Sequence, residues 1–265
     1  MNFEAIVNAR DLGGLPAADG RTVRKGMLLR TGHLHDATDA DVRLLVERYH
    51  LCRIFDFRTE QEIQAQADRP VPGAQHISLP TLDTEKERES GEAVPEGIFL
   101  DLPRYIVQLS FNKFFQQKGR DLYPSLVQSE FSQLQYAAFL NLIMEAPEGA
   151  VLWHCSQGKD RTGIGAAFIL SALGADRDTI VADFDRSNLT YKPLVDELLQ
   201  KVTQAGGQEA ELDTIRAFMG VNTKNFCRTL DLIDREWGSM DRYLTQQLGL
   251  TDDDRALLRK RFLEG

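Results

Sequence analysis

The apolar positions divide the chain into two parts with different rhythms. In the first part short apolar runs alternate with helical patterns. Residues 27–30, 54–57, 74–79 and 150–153 each read as a brief strand. Between them Thr38 predicts the cap of a helix over residues 39–49, with Val42, Leu45, Val46 and Tyr49 on one face. A second helix is predicted over residues 129–145, carrying Phe131, Leu134, Tyr136, Phe139, Leu140 and Ile143 and broken by Pro147-Glu148-Gly149. After the last strand an apolar helix is expected from 164 to 174, ending on a glycine. Beyond it the pattern is helical throughout, with breaks near Gly206-Gly207 and Gly220. Strands alternating with helices, then helices alone, predict an α/β fold: a central, mostly parallel sheet flanked by helices, with a helical C-terminal layer. No repeat or linker interrupts residues 1–265, so a single domain is expected.

Two stretches depart from this rhythm. Residues 8–36 are rich in Gly, Asp and Arg and hold turn signals at Asp11-Leu12-Gly13-Gly14 and Asp19-Gly20. The second, followed by Arg21-Thr22-Val23, predicts a small hairpin. Residues 81–95 are charged and read as an exposed loop. Residues 98–117 read as a helix rich in aromatics, among them Phe99, Tyr105, Phe111, Phe114 and Phe115. Such rings belong either to the core or to an insertion.

Composition narrows the chemistry. The 265 residues carry a net charge of -9, which offers no basic stripe for nucleic acid. No apolar run is long enough to span a membrane, and no secretory leader is visible at the start, so a cytoplasmic protein is expected, with export by an unsignalled route as the alternative. Three cysteines, at 52, 155 and 227, suit a reducing compartment and form no metal-ligand pair. His33, His35 and Asp36 resemble metal ligands only weakly, so no metal and no cofactor is expected.

One segment does carry chemistry. Val151-Leu152-Trp153-His154 runs as a buried strand into Cys155-Ser156-Gln157-Gly158-Lys159, and Asp160-Arg161-Thr162-Gly163 opens a helix. A strand, loop and helix start in that order aim backbone N–H groups and a positive helix end at one point. Cys155 at the strand end is the candidate nucleophile, its thiol depressed by those dipoles and by Arg161. Arg161 can grip two phosphate oxygens in a bidentate way. Gly158 permits the bend, and Thr162 can donate to the thiolate. Ser156, Gln157, Gly158, Lys159 and Thr162 are the expected phosphate-binding positions. Cys52 and Arg58 repeat the spacing, but the run between them is strand-like and would hold its ends roughly 20 Å apart. Cys52 is therefore read as a buried strand cysteine. Asp56, at a strand's C-terminal end, is a candidate acid or, with Arg58, a buttress of the loop.

His154-Cys155-x-x-Gly158-Lys159-Asp160-Arg161-Thr162-Gly163 closely resembles the phosphate loop of protein tyrosine phosphatases, in the form found in their atypical bacterial branch. Asn8-Ala9-Arg10-Asp11-Leu12-Gly13-Gly14, Asp56-Phe57-Arg58-Thr59-x-x-Glu62 and Asp183-Phe184-Asp185-Arg186-Ser187-Asn188 also follow that branch's pattern. The resemblance implies the phosphatase fold and a cysteinyl-phosphate intermediate formed without metal. It implies phosphotyrosine substrates, with phosphoserine, phosphothreonine and phosphoinositides as further ones, and inorganic phosphate or vanadate as occupants of the loop. In that branch the aspartate matching Asp160 is the suggested general acid, the lysine matching Lys159 accompanies highly charged substrates, and the histidine matching His154 supports the loop. Members often carry a helical lid, which residues 81–130 would supply here. A sulfurtransferase or a non-hydrolytic phospho-ligand binding module is the competing reading.

Overall fold

The computed structural model describes residues 2–83 and 122–265. The aromatic helix expected over 98–117, and most of the expected lid, lie outside the described residues.

Seven strands are found among them: β1 (Arg10–Asp11), β2 (Thr22–Val23), β3 (Leu28–Thr31), β4 (Arg53–Asp56), β5 (Gln75–Ser78), β6 (Val151–His154) and β7 (Leu263–Glu264). Five form one sheet in the order β1-β3-β6-β4-β5. β3, β6, β4 and β5 are parallel, and only β1 runs antiparallel. Side chains alternate across this sheet as the pleat requires. Leu28, Phe55, Val151 and Trp153 enter the larger core on one face, whereas Leu29, Ile54 and Leu152 enter a smaller core on the other. The strand readings thus hold to within about a residue.

The helices are α1 (Asp39–Arg43), α2 (Glu60–Ala65), α3 (Glu130–Met144), α4 (Asp160–Ala172), α5 (Arg177–Gln204), α6 (Glu209–Met219), α7 (Thr223–Trp237), α8 (Met240–Gln246) and α9 (Asp252–Phe262). Thr38 caps α1 in a capping box with Asp41. Past Arg43 the expected helix widens, and Tyr49 N–H reaches back five residues to Leu44. α4 is buried on nearly every side, as a helix between a sheet and a helical layer must be. Gly163 lets it approach Phe184 of α5: a Cβ there would lie 2.5 Å from the ring.

Three expectations need correction. The turn at Asp19-Gly20 does fold Pro16 against Thr22, but the ladder partner of β2 is β7. The C-terminal part is therefore not helical to its end. A strand of two residues has no periodicity to read, and its pairing with a segment some 240 positions earlier leaves no local signal. Cys52 is half-buried and lies just before β4, its thiol donating to the Ala150 carbonyl.

Phe139 of α3 packs edge-on against Phe55, Phe57 and Trp153, fastening the helix to the sheet. Phe139→Ala should cost about 3–5 kcal/mol in urea unfolding, with the slope unchanged.

Candidate active site

The parallel strands end in register. Thr31, His154 and Asp56 are neighbours across β3, β6 and β4, and Cys155 is the next residue of the central strand. The loop leaves the sheet at its C-terminal edge, where α/β sheets bring chain ends and helix starts together. Gly158 has φ +65, and a Cβ on it would strike the carbonyl of Thr31, so the bend sits against the neighbouring strand end.

The direction of each peptide in the loop is set from outside. His33 N–H donates to the Ser156 carbonyl. Tyr191 hydroxyl and Asn8 Nδ2 donate to that of Gln157, at 2.6 and 3.2 Å. Asn8 Nδ2 and Arg30 Nη2 reach that of Gly158, at 2.9 and 3.0 Å, and Arg30 also reaches Lys159. Farther along, Tyr136 and Trp153 donate to the carbonyls of Arg161 and Thr162. In a trans peptide the C=O and the following N–H point opposite ways. With the carbonyls drawn outward, the amides of Gln157 to Asp160 turn into the bowl, making a concave row of donors at the start of α4.

The residues that hold the carbonyls are themselves held. Arg30 is fully buried and pairs with Asp183 of α5 at 2.5 Å, and Arg10 joins the same carboxylate at 2.7 Å. Arg10 also holds Asn8 Oδ1, and both touch the Ser187 hydroxyl. Burial and the neighbouring Arg10 lower the Arg30 guanidinium to about 10 despite Asp183, which still leaves it charged at neutral pH. Asn8, Arg10, Arg30, Asp183 and Ser187 thus form one polar network beneath the loop.

Within the bowl Cys155 is 3% exposed. Burial pushes its thiol up, but the Arg161 charge and the polar Thr162 hydroxyl and N–H nearby outweigh it and hold the thiol below its ordinary value. Arg161 is aimed by Glu62, which accepts from both terminal nitrogens at 2.6 and 2.7 Å. The Ser156 hydroxyl donates to the same carboxylate. This leaves the Nε edge of the guanidinium for an oxyanion.

Asp160, the first residue of α4, accepts a 2.7 Å bond from the Tyr123 hydroxyl. Lys159 is 3% exposed and turns away from the bowl: its ammonium donates to the carbonyls of Phe218 and Gly220 at the end of α6 and stands 3.5 Å from Asp160. Burial lowers it, and the nearby Asp160 opposes that.

His154, Asp56 and Arg58 lie together behind the loop. Arg58 binds Asp56 through Nε and Nη2 and stands 2.9 Å from Asp68, whose carboxylate is 3.0 Å from His154 Nε2. Burial would lower the imidazole of His154, but Asp56 and Asp68 raise it. Asp56, Asp68, His76 and His154 could each direct one donor to a metal ion. The Arg58 guanidinium already bridges the two carboxylates, so the cation of this cluster is an arginine. Asp56 is committed to Arg58 through both its oxygens.

Glu62, Asp68, Asp183, Ser187, Tyr136, Tyr191 and Tyr123 are site-supporting residues for which spacing predicts no role. Asn8, Glu62, Asp183 and Ser187 do fall in the segments that carry the family likeness, which is the one signal that points to them. The Glu62 carboxyl shows how much such support is worth. Burial would raise it, but Arg161, the Ser156 hydroxyl and the Thr59 N–H hold it down to about 2. A depressed carboxyl stabilises the fold above its unfolded value near 4.5 and loses that contribution as pH falls towards 2. The loss is on the order of 3 kcal/mol. Urea unfolding at a series of pH values should show Glu62→Gln less stable than wild type at pH 6, with the gap narrowing below pH 4.5 and closing only towards pH 2.

A thiol held below its ordinary value beside a row of inward amides, with a carboxylate-aimed arginine next to it, is the kind of equipment that cysteine-dependent phosphoryl transfer requires. Comparison with known proteins agrees. The tyrosine phosphatase family profile matches residues 1–264. A Cupriavidus necator protein provisionally named a tyrosine-protein phosphatase is 29% identical over 266 residues, covering 100% of this chain and 89% of the relative. The triple specificity protein phosphatase PtpB of Mycobacterium tuberculosis is 27% identical over 252 residues, 89% of this chain and 90% of the relative. A tyrosine-protein phosphatase of Nostoc commune is 42% identical over 114 residues, 41% of this chain and 38% of the relative. The sulfurtransferase and binding-module readings are not favoured, and the chain belongs to the tyrosine phosphatase family.

Proposed function

We propose that this phosphatase hydrolyses phosphomonoesters through a cysteinyl-phosphate on Cys155. The observation that carries this reading is the outward tethering of the loop carbonyls, which leaves a row of amides facing the buried thiol. The Cys155 thiolate attacks phosphorus, and the three equatorial oxygens gain hydrogen bonds from the loop amides and the Nε edge of Arg161 as charge develops on them. The leaving oxygen takes a proton from Asp160 at the mouth of the loop. Water then cleaves the phosphocysteine, and Asp160 recovers its proton. Thr162 stabilises the thiolate as the leaving group of that second step. His154, Asp56 and Arg58 support the loop from behind. Inorganic phosphate and vanadate would occupy the same bowl. A reducing cytoplasm suits a thiolate that must stay unoxidised, and a single catalytic domain suffices for both steps.

For the substrates, we infer phosphotyrosine first, with phosphoserine, phosphothreonine and phosphoinositides as further classes. Supporting the broader range are the relative named as triple specificity and the presence of Lys159 beside Arg161 in one loop. The ammonium of Lys159 is bound to two backbone carbonyls. An additional phosphate would compete with those carbonyls for it.

Cys155→Ser should abolish turnover of para-nitrophenyl phosphate while vanadate still binds, and Cys52→Ser and Cys227→Ser should remain active. Persisting turnover in Cys155→Ser would sink the assignment. Lys159→Ala should lower kcat/KM for a multiply phosphorylated inositide about tenfold more than for a phosphotyrosine peptide, the size of one charge-assisted contact. A parallel loss on both substrates would confine Lys159 to holding the end of α6.

A further inference from the structure

Tyr123 belongs to the helical residues 122–128, far from the phosphate loop in sequence, yet its side chain ends at Asp160. It is 2% exposed. Its ring stands edge-on to Phe184 of α5 at 5.5 Å and to Phe226 of α7 at 6.4 Å, and those two rings stack on each other at 3.8 Å. The ring is therefore wedged among aromatics from two helices.

The hydroxyl is fixed as well. Its oxygen accepts the backbone N–H of Asn222 at 3.3 Å. A phenol has one proton to donate, and that proton goes to Asp160 Oδ1 at 2.7 Å. Oδ1 is thereby committed as an acceptor. A proton that Asp160 carries for transfer is then better placed on Oδ2, which stands 3.5 Å from the Lys159 ammonium. Lys159 in turn spends two of its three N–H groups on the carbonyls of Phe218 and Gly220. The pair of contacts distinguishes the two oxygens of an otherwise symmetric carboxyl.

We propose that Tyr123 is a positioning residue for proton transfer: it pins Oδ1 and so presents Oδ2 of Asp160 to the leaving group. In the first step the Cys155 Sγ–P bond forms as the P–O bond to the alcohol breaks, and the Oδ2 proton passes to the departing oxygen. In the second step water adds to phosphorus, Sγ departs as thiolate and the water proton returns to Oδ2. Tyr123 keeps its own proton throughout, because burial and the neighbouring Asp160 place its phenol well above its ordinary value. The inference rests on Asp160 being the general acid.

Its test exploits the demands of different leaving groups. An alkyl alcohol needs the proton far more than para-nitrophenolate does. Tyr123→Phe keeps the ring packed edge-on against Phe184 and Phe226 and removes only the hydroxyl. It should lower kcat/KM, which reports the first transfer alone, about tenfold more for a phosphoserine peptide than for para-nitrophenyl phosphate. Asp160→Asn should show the same selectivity more strongly. In the Asp160→Asn background Tyr123→Phe should add no further selectivity, since the two act as one unit.

The outcomes separate the inference from the reading beneath it. If Asp160→Asn slows both substrates equally, the acid assignment falls and the positioning role falls with it. If Asp160→Asn is selective but Tyr123→Phe is not, the acid stands and the positioning role is overturned. If the two substitutions multiply in the double variant, Tyr123 acts on the fold and not through Asp160. Urea unfolding of Tyr123→Phe guards the comparison, and all three variants are assayed where each is fully folded.

Discussion

A loop that turns its amides inward must have its carbonyls satisfied from outside. This constraint organises the molecule around residues 155–162. A phosphate-sized bowl of N–H groups is concave and electropositive, and each peptide in it would relax by rotating if its carbonyl found no partner. Here the partners come from far along the chain: Asn8 before β1, Arg30 on β3, Tyr136 on α3, Trp153 on β6 and Tyr191 on α5. The N-terminal segment, the sheet and the helical layer therefore all bear on one loop. Arg30 reaches the loop from the strand beside β6 only because β3 and β6 run parallel and in register. A slip of one residue would turn Arg30 to the opposite face.

The two ion pairs closest to the bowl do different work. Asp183 neutralises Arg10 and Arg30, whose guanidiniums face carbonyls and never the ligand. Two buried cations without it would be costly, so the aspartate permits arginine to be used as a rigid multiple donor. Glu62 instead neutralises the arginine that faces the ligand. It accepts one hydrogen bond from each terminal nitrogen, so the plane and direction of Arg161 are set before any phosphate arrives. Part of the ordering entropy is then spent in folding and need not be spent on binding.

Much of this was legible from residue order, and what was not has a physical reason. The strand ends, the cap at Thr38, the breaks at Gly206-Gly207 and Gly220, and the strand–loop–helix unit around Cys155 are local patterns, and local patterns show in sequence. Cys52 and Arg58 share the spacing of Cys155 and Arg161, yet the intervening β4 keeps Arg58 on Asp56 and Asp68. Glu62 was half legible: it closes a capping box with Thr59, a motif complete in itself, and nothing in that motif announces that the same carboxylate also holds Arg161. Asp183 sits in an amphipathic helix where an acidic residue is unremarkable until the fold buries it between two arginines. Tyr123 carries no local signal, because its partners Asp160, Asn222, Phe184 and Phe226 meet it only through tertiary packing. The short strand β7 escaped for the same reason.

The cations near the loop share an arrangement that the net charge conceals. Arg161 is backed by Glu62, Arg30 by Asp183, Arg58 by Asp56 and Asp68, His154 by Asp68, and Lys159 stands beside Asp160. The carboxylates that back the first four cations, Glu62, Asp183, Asp56 and Asp68, are all buried. At a distance such pairs nearly cancel, and the protein as a whole carries -9, which repels a phosphate dianion before contact. That repulsion is screened over about 8 Å at physiological ionic strength. Inside the bowl the cancellation fails, because the amides and the Arg161 edge lie closer to the ligand than the carboxylate behind them, in surroundings of low dielectric. Attraction is thus confined to the last few ångströms. A site built this way gains little from long-range steering. It depends on how accurately the loop is held, which returns the weight of catalysis to the carbonyl tethers beneath it.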